Sequence, residues 1–92
     1  MTNDLSGNIL NLLAREFEYT QALHCEKEVM MIKLGEDDVS TFDEALLALE
    51  KDGLVNLWID PRNKIKLAKI TWRGLNKVGN VSLRYGLDKS AI

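Results

Sequence analysis

The chain has 92 residues, 46% hydrophobic and 28% charged, with a formal net charge of −2, the size and balance of one globular domain with a modest core, predicted to span residues 1–92. Its longest apolar runs, "VMMI" and "ALLAL", fall far short of the roughly 20 residues of a membrane span, and "MTNDLSGNIL" lacks the basic start and apolar stretch of a secretory leader. Cys25, the one cysteine, excludes an internal disulfide and makes a reducing, cytoplasmic compartment the simplest expectation.

Residues 6–20, "SGNILNLLAREFEYT", predict a first helix. Ile9, Leu12, Leu13, Glu16 and Phe17 follow helical spacing with only Glu16 polar, and Leu10 widens the stripe. "LHC" (23–25) is short enough for an edge strand. "EKEVMMIKL" (26–34) predicts a short helix with Val29, Met30 and Ile32 to Leu34 facing inward and Gly35 as its stop. After the turn "EDDVS", the segment "STFDEALLALEKDG" (40–53) is the clearest helix. Thr41 and Glu44 have the form of a capping box, with Ser40 a rival cap. Phe42, Ala45, Leu46 and Leu49 give its buried stripe, and Gly53 ends it.

Past Gly53 the period changes from helical to alternating. In "LVNLWID", Val55, Leu57 and Ile59 point one way and Asn56, Trp58 and Asp60 the other. "DPRN" is a turn: Pro61 presets φ, and Asn63 tolerates the left-handed conformation that a three-residue hairpin loop needs. Pairing Asp60 with Lys64 sets Ile59 against Ile65, Leu57 against Leu67, and Trp58 against Lys66 on the outer face. A last helix is predicted over 71–86, opened by Thr71, with Gly79 a candidate interruption.

Charge is distributed unevenly along this order. Residues 1–57 carry twelve acids against four bases, whereas 58–92 carry eight bases against two acids. A chain polarised in this way can offer a cationic face to a polyanion while remaining acidic overall. The competing explanation is that the two halves attract each other, within the fold or between subunits.

The sequence of elements is that of a winged helix-turn-helix, an α+β, mostly α arrangement. "MIKLGEDDVSTFDEALLALEKDGLV" (31–55) resembles the helix-turn-helix of winged-helix regulators. "DPRNKIKLAKITWRG" (60–74) is similar to the wing of MarR-type bacterial regulators, in which an Asp-Pro-Arg tip is followed by basic residues, a strand, and Thr-x-x-Gly opening the next helix. The resemblance covers roughly residues 26–75. It implies a small transcriptional regulator that binds double-stranded DNA, with the helix at 40–52 in the major groove and the basic wing at 60–69 on the adjacent backbone. Paired half-sites imply a homodimer, its interface supplied by the first or last helix.

On that reading the wing contributes Arg62, whose guanidinium suits phosphate or a narrow groove, with Asn63 beside it at the tip. Lys64 and Lys66 neutralise phosphates on one face. Lys69 falls on the other parity, and Arg73 adds a contact from the turn after the hairpin. The competing explanation for these lysines is protection of an edge strand against aggregation. The matching helix positions are Ser40, Thr41, Asp43, Glu44 and Leu47. Ser40 and Thr41 suit phosphate or base contacts near a helix N-terminus. Asp43 and Glu44 repel phosphate, although a carboxylate can accept from cytosine N4; acids in a first helical turn equally complement the dipole. An acidic helix face also fits an alternative, a winged helix that docks on a basic protein partner.

Trp58 has three candidate settings: beneath the Lys66 stem, in a subunit interface, or under the last helix. Trp72 is expected in the core. His24 and Cys25 are adjacent, but no second His or Cys completes a metal site, and strand neighbours point to opposite sides. No phosphate loop, serine elbow or dinucleotide fingerprint is present. Neither an enzyme, a metal nor a cofactor is expected.

Overall fold

The computed structural model describes residues 5–20 and 24–78. In chain order they form α1 (Leu5–Thr20), β1 (Cys25–Glu26), α2 (Lys27–Leu34), α3 (Val39–Lys51), β2 (Val55–Ile59), β3 (Ile65–Ile70) and α4 (Trp72–Val78). Ile9, Leu12 and Leu13 of α1 meet Met30 of α2, Phe42, Leu46 and Leu49 of α3, and Val55, Ile65, Ala68, Ile70 and Leu75 in one core. The stripes read from the sequence for α1 and α3 are the faces that this core buries.

The second helix differs from expectation. Met30 and Met31 face inward, while Val29 and Ile32 are 41% and 80% exposed. Four consecutive apolar residues carry no phase of their own, so tertiary packing chose the face. Gly35, at φ 69°, closes this helix as expected: its N–H reaches the Ile32 carbonyl, and the Glu36 N–H reaches that of Met31. Two residues later Asp38, not Thr41 or Ser40, caps α3 by accepting from the Thr41 N–H at 3.2 Å. The helix therefore starts at Val39, one residue before the predicted segment 40–53 and three before the first helical position that a Thr41 cap implies.

The three strands form an antiparallel sheet in the order β1-β3-β2. Its first strand begins at Cys25, two residues beyond the start of "LHC", and pairs Cys25 with Ala68 and Glu26 with Leu67. In the hairpin, Ile59 faces Ile65 as expected, but then the ladder shifts. Trp58 pairs with Leu67 rather than Lys66, and Leu57 with Ala68 rather than Leu67. Lys66 is the extra residue of a β-bulge. The bulge turns Ala68 and Ile70 into the core and leaves Ile59 46% exposed.

The Thr-x-x-Gly motif locks the hairpin's root to α4. The Thr71 hydroxyl donates to the Gly53 carbonyl at 2.7 Å and accepts from the Gly74 N–H at 3.0 Å, while the Thr71 N–H donates to the Leu54 carbonyl. A side chain at Gly74 would collide with the Leu54 carbonyl oxygen and with Ile70, so glycine is required by close approach. With Gly74, Leu75 and Val78 inward, Trp72 sits on the flank and is 74% exposed, not in the core as expected. The remainder of the helix predicted to 86 lies outside the described residues. Helices, three-stranded sheet and hairpin together constitute a winged helix-turn-helix.

Candidate nucleic-acid interface

The wing tip is built around Asp60. Its N–H donates to the Lys64 carbonyl at 2.9 Å, and its Oδ1 accepts from the N–H groups of Arg62 and Lys64, each at 2.9 Å. Its own carbonyl accepts from the Asn63 N–H at 2.8 Å. Asn63 adopts φ 69°, the left-handed position expected of it. The carboxylate and carbonyl of Asp60 thus take up the N–H groups of Arg62, Asn63 and Lys64, whose side chains are left outward. All three are exposed, as is Lys66. Among the described residues none of these cations is ion-paired; the ion pairs there are Lys27–Asp43 and Lys33–Glu16. The acidic half of the chain therefore does not neutralise the wing within the described structure.

The bulge at Lys66 also changes the account of Lys69. Past the bulge, Ala68 and Ile70 point inward, so Leu67 and Lys69 share the outer side, where Lys69 lies opposite Asn56. Lys69 thus joins the outer face instead of the opposite one. Arg73 is not in a turn after the hairpin but in the first turn of α4, with its side chain against Gly53 at the wing's root. Because β2 is five residues long, this is roughly 16 Å of strand from the tip. Arg73 lines a separate concavity with Lys51, Asp52 and Lys77.

On α3, Ser40, Thr41, Glu44 and Leu47 are exposed. Ser40, Glu44 and Leu47 stand at i, i+4 and i+7, and the same row continues to Lys51 at i+11, also exposed. Lys51 escaped the sequence reading, although extending the helical wheel by one turn finds it. Asp43 leaves this row: its carboxylate accepts from Lys27 Nζ at 3.0 Å, with the two side chains 11% and 31% exposed. That ion pair ties the start of α2 to α3 and removes one of the two acids counted against a nucleic-acid surface. Asp38 is committed to the cap, where the Thr41 N–H lowers its carboxyl pKa below the ordinary aspartate value.

A concavity of about 460 Å³ relates the two parts. Val39 at the start of α3, Lys27 and Glu28 of α2, and Lys64 and Lys66 of the wing all line it, so the first turn of α3 and the returning wing strand border the same side. The remaining candidates fall elsewhere. Trp58, 44% exposed, meets the His24 ring edge-on at 5.1 Å between centroids, and among the described residues it makes no cation–π contact with Lys66. Burial, followed by the nearby Glu16 charge, raises the Cys25 thiol pKa, which keeps it protonated and a poor nucleophile near neutral pH. No helix among the described residues is long and apolar enough to cross a membrane.

No protein-family model matches the chain, and no curated protein matches it. Solved structures do. The chain is similar to the transcriptional regulator PcaV from Streptomyces coelicolor, crystallised with its natural ligand, at a TM-score of 0.66 and 22% identity, over 98% of this chain and 60% of that one. It is similar to a mutant of MepR from a multidrug-resistant S. aureus clinical isolate at 0.64 and 17%, over 99% and 62%. A mutant of Lactococcus lactis ZitR in its apo form gives 0.57 and 13%, over 96% and 64%. The chain thus spans about three fifths of the length of the structures it matches. At these identities the likeness concerns the fold, and it is the fold assembled above from the hairpin, bulge and caps.

Proposed function

We propose that the chain is a DNA-binding transcriptional regulator that acts by binding rather than catalysis. Ser40, Thr41 and Glu44 of α3 approach the major groove, and Arg62, Asn63, Lys64 and Lys66 of the wing hold the adjacent backbone. The observation that carries this reading is the un-neutralised wing. Arg62, Lys64 and Lys66 stand exposed beside a capped helix with no ion pair among the described residues, and the Asp60 carboxylate binds the backbone of the tip instead of these cations. The likeness to a transcriptional regulator of the same fold supports it. Arg73 contributes a backbone contact at the root of the wing, away from the tip. Two copies act together on paired half-sites, because one small domain gains few contacts alone, and the setting is the cytoplasm. A basic protein partner is less favoured, since Asp43 is held by Lys27 rather than presented.

The test is a gel shift on duplex DNA flanking the chain's own gene, with sedimentation of the free and bound forms. Binding as two copies per site, lost on replacing Arg62, Lys64 and Lys66 together by Ala, is the expected result. Unchanged binding by that triple variant contradicts the wing's role.

A further inference from the structure

Glu44 is the acid on the outermost row of α3; Glu50, also exposed, lies off that row. Asp43 is paired with Lys27, Asp38 caps the helix, and Glu36 accepts from the Asp38 N–H at 3.1 Å. Glu44 is exposed and has no partner among the described residues. It occupies the middle of the outermost row of α3, between Ser40 and Leu47, directly opposite the buried Phe42, Leu46 and Leu49. A carboxylate there cannot serve affinity, because phosphate repels it. In a major groove it finds favourable company only at an exocyclic amine.

We infer that Glu44 is a specificity-determining residue that selects cytosine through its N4 amine, with Leu47 favouring a thymine one helical turn along the same row. The inference rests on the proposed approach of α3 to duplex DNA and adds the base chemistry it reads. The Glu44 carboxylate accepts the N4–H of cytosine, a donor that thymine and guanine do not offer; adenine offers N6–H only beside its N7 acceptor, which repels a carboxylate. Leu47, 46% exposed on the same row, places an apolar group where the thymine C5-methyl projects. Lys51 follows at the end of the row and meets phosphate as the helix leaves the groove. The Lys27–Asp43 ion pair positions this row by fixing α3 against α2; it touches no base.

The experiment is selection from a randomised duplex library, performed with the full chain and with its Glu44→Ala and Glu44→Gln variants, each checked for helical content by circular dichroism. Wild type should enrich sites with a cytosine at one position, preferred about five- to tenfold over other bases. Glu44→Ala should lose that preference at this position alone, while the rest of the enriched site is kept. Glu44→Gln should move the preference toward adenine, whose N6 and N7 suit an amide. Identical enriched sites from wild type and Glu44→Ala would overturn the inference while leaving the DNA-binding reading intact. No enrichment and no duplex binding by any of the three would overturn both.

Discussion

The wing and α3 face the same side of the molecule but solve opposite electrostatic problems. The wing carries cations and one carboxylate, and Asp60 is turned inward onto backbone N–H groups so that the cations stand clear. The third helix carries Asp43, Glu44 and Glu50, and of the acids at its start Asp43 is taken by Lys27 and the preceding Asp38 by the cap. Only Glu44 remains free on its outer row among the described residues. Net charge along a segment therefore says little about what it presents. What matters is which charges the fold consumes internally. A surface of bare cations gives affinity without choice, whereas a row with one free carboxylate gives choice at some expense of affinity.

The wing and α3 share one frame, the junction of Gly74 with Leu54 and Ile70. Gly74→Ala forces a methyl against the Leu54 carbonyl and Ile70, separating the wing's root from α4. A loss of about 3 kcal/mol in urea unfolding is expected; a loss under 0.5 would show that α4 moves away freely. Next comes Lys27→Ala, which leaves the partly buried Asp43 without its cation. It should cost about 1–2 kcal/mol and weaken duplex binding by returning an acid to the α3 side, whereas Lys27→Ala with Asp43→Ala should recover most of both. A double-mutant cycle measures that recovery.

On the wing, Asp60→Ala removes the acceptor for two N–H groups and should cost about 1 kcal/mol, while Asp60→Asn should retain most of it. Exchange rates of the Arg62 and Lys64 amides give a direct readout. The smallest effect concerns pH. The Asp38 carboxyl is held below its ordinary pKa by the Thr41 N–H, so its contribution is complete above the unfolded value and fades as pH falls through the lowered one. Wild type should therefore lose stability across that acidic window more steeply than Asp38→Asn, as acid titrations followed by circular dichroism would record.

How much of this was legible beforehand differs by residue. The tip was fully written: Pro61 and Asn63 each have one conformational use in a hairpin loop, and the structure employs both. The bulge was not, because the alternation starting from Ile65 and the alternation ending at Ile70 are out of phase in "IKLAKI". The Leu67–Ala68 doublet marks the conflict, and a bulge at Lys66 reconciles it. Phe42, Leu46 and Leu49 mark the inner face of α3 because Ser40, Glu44 and Lys51 make the other side of the helix polar, whereas "VMMI" in α2 offers no such contrast. Trp72 was misjudged by hydrophobicity alone; the Thr71 to Gly74 spacing sets the helical phase and turns it outward. For the candidate site, the exposed residues of wing and helix were readable, but the commitment of Asp43 to Lys27 depends on contact across 16 residues, which no local pattern records.

The division of labour between the two regions is tested most directly by titrating duplex binding with salt for wild type, the Arg62, Lys64 and Lys66 triple alanine variant, and Glu44→Ala. The triple variant should flatten the log–log slope by about three units per protomer, and Glu44→Ala should leave it unchanged. A triple variant with the wild-type slope would contradict the assignment of the backbone contacts to the wing.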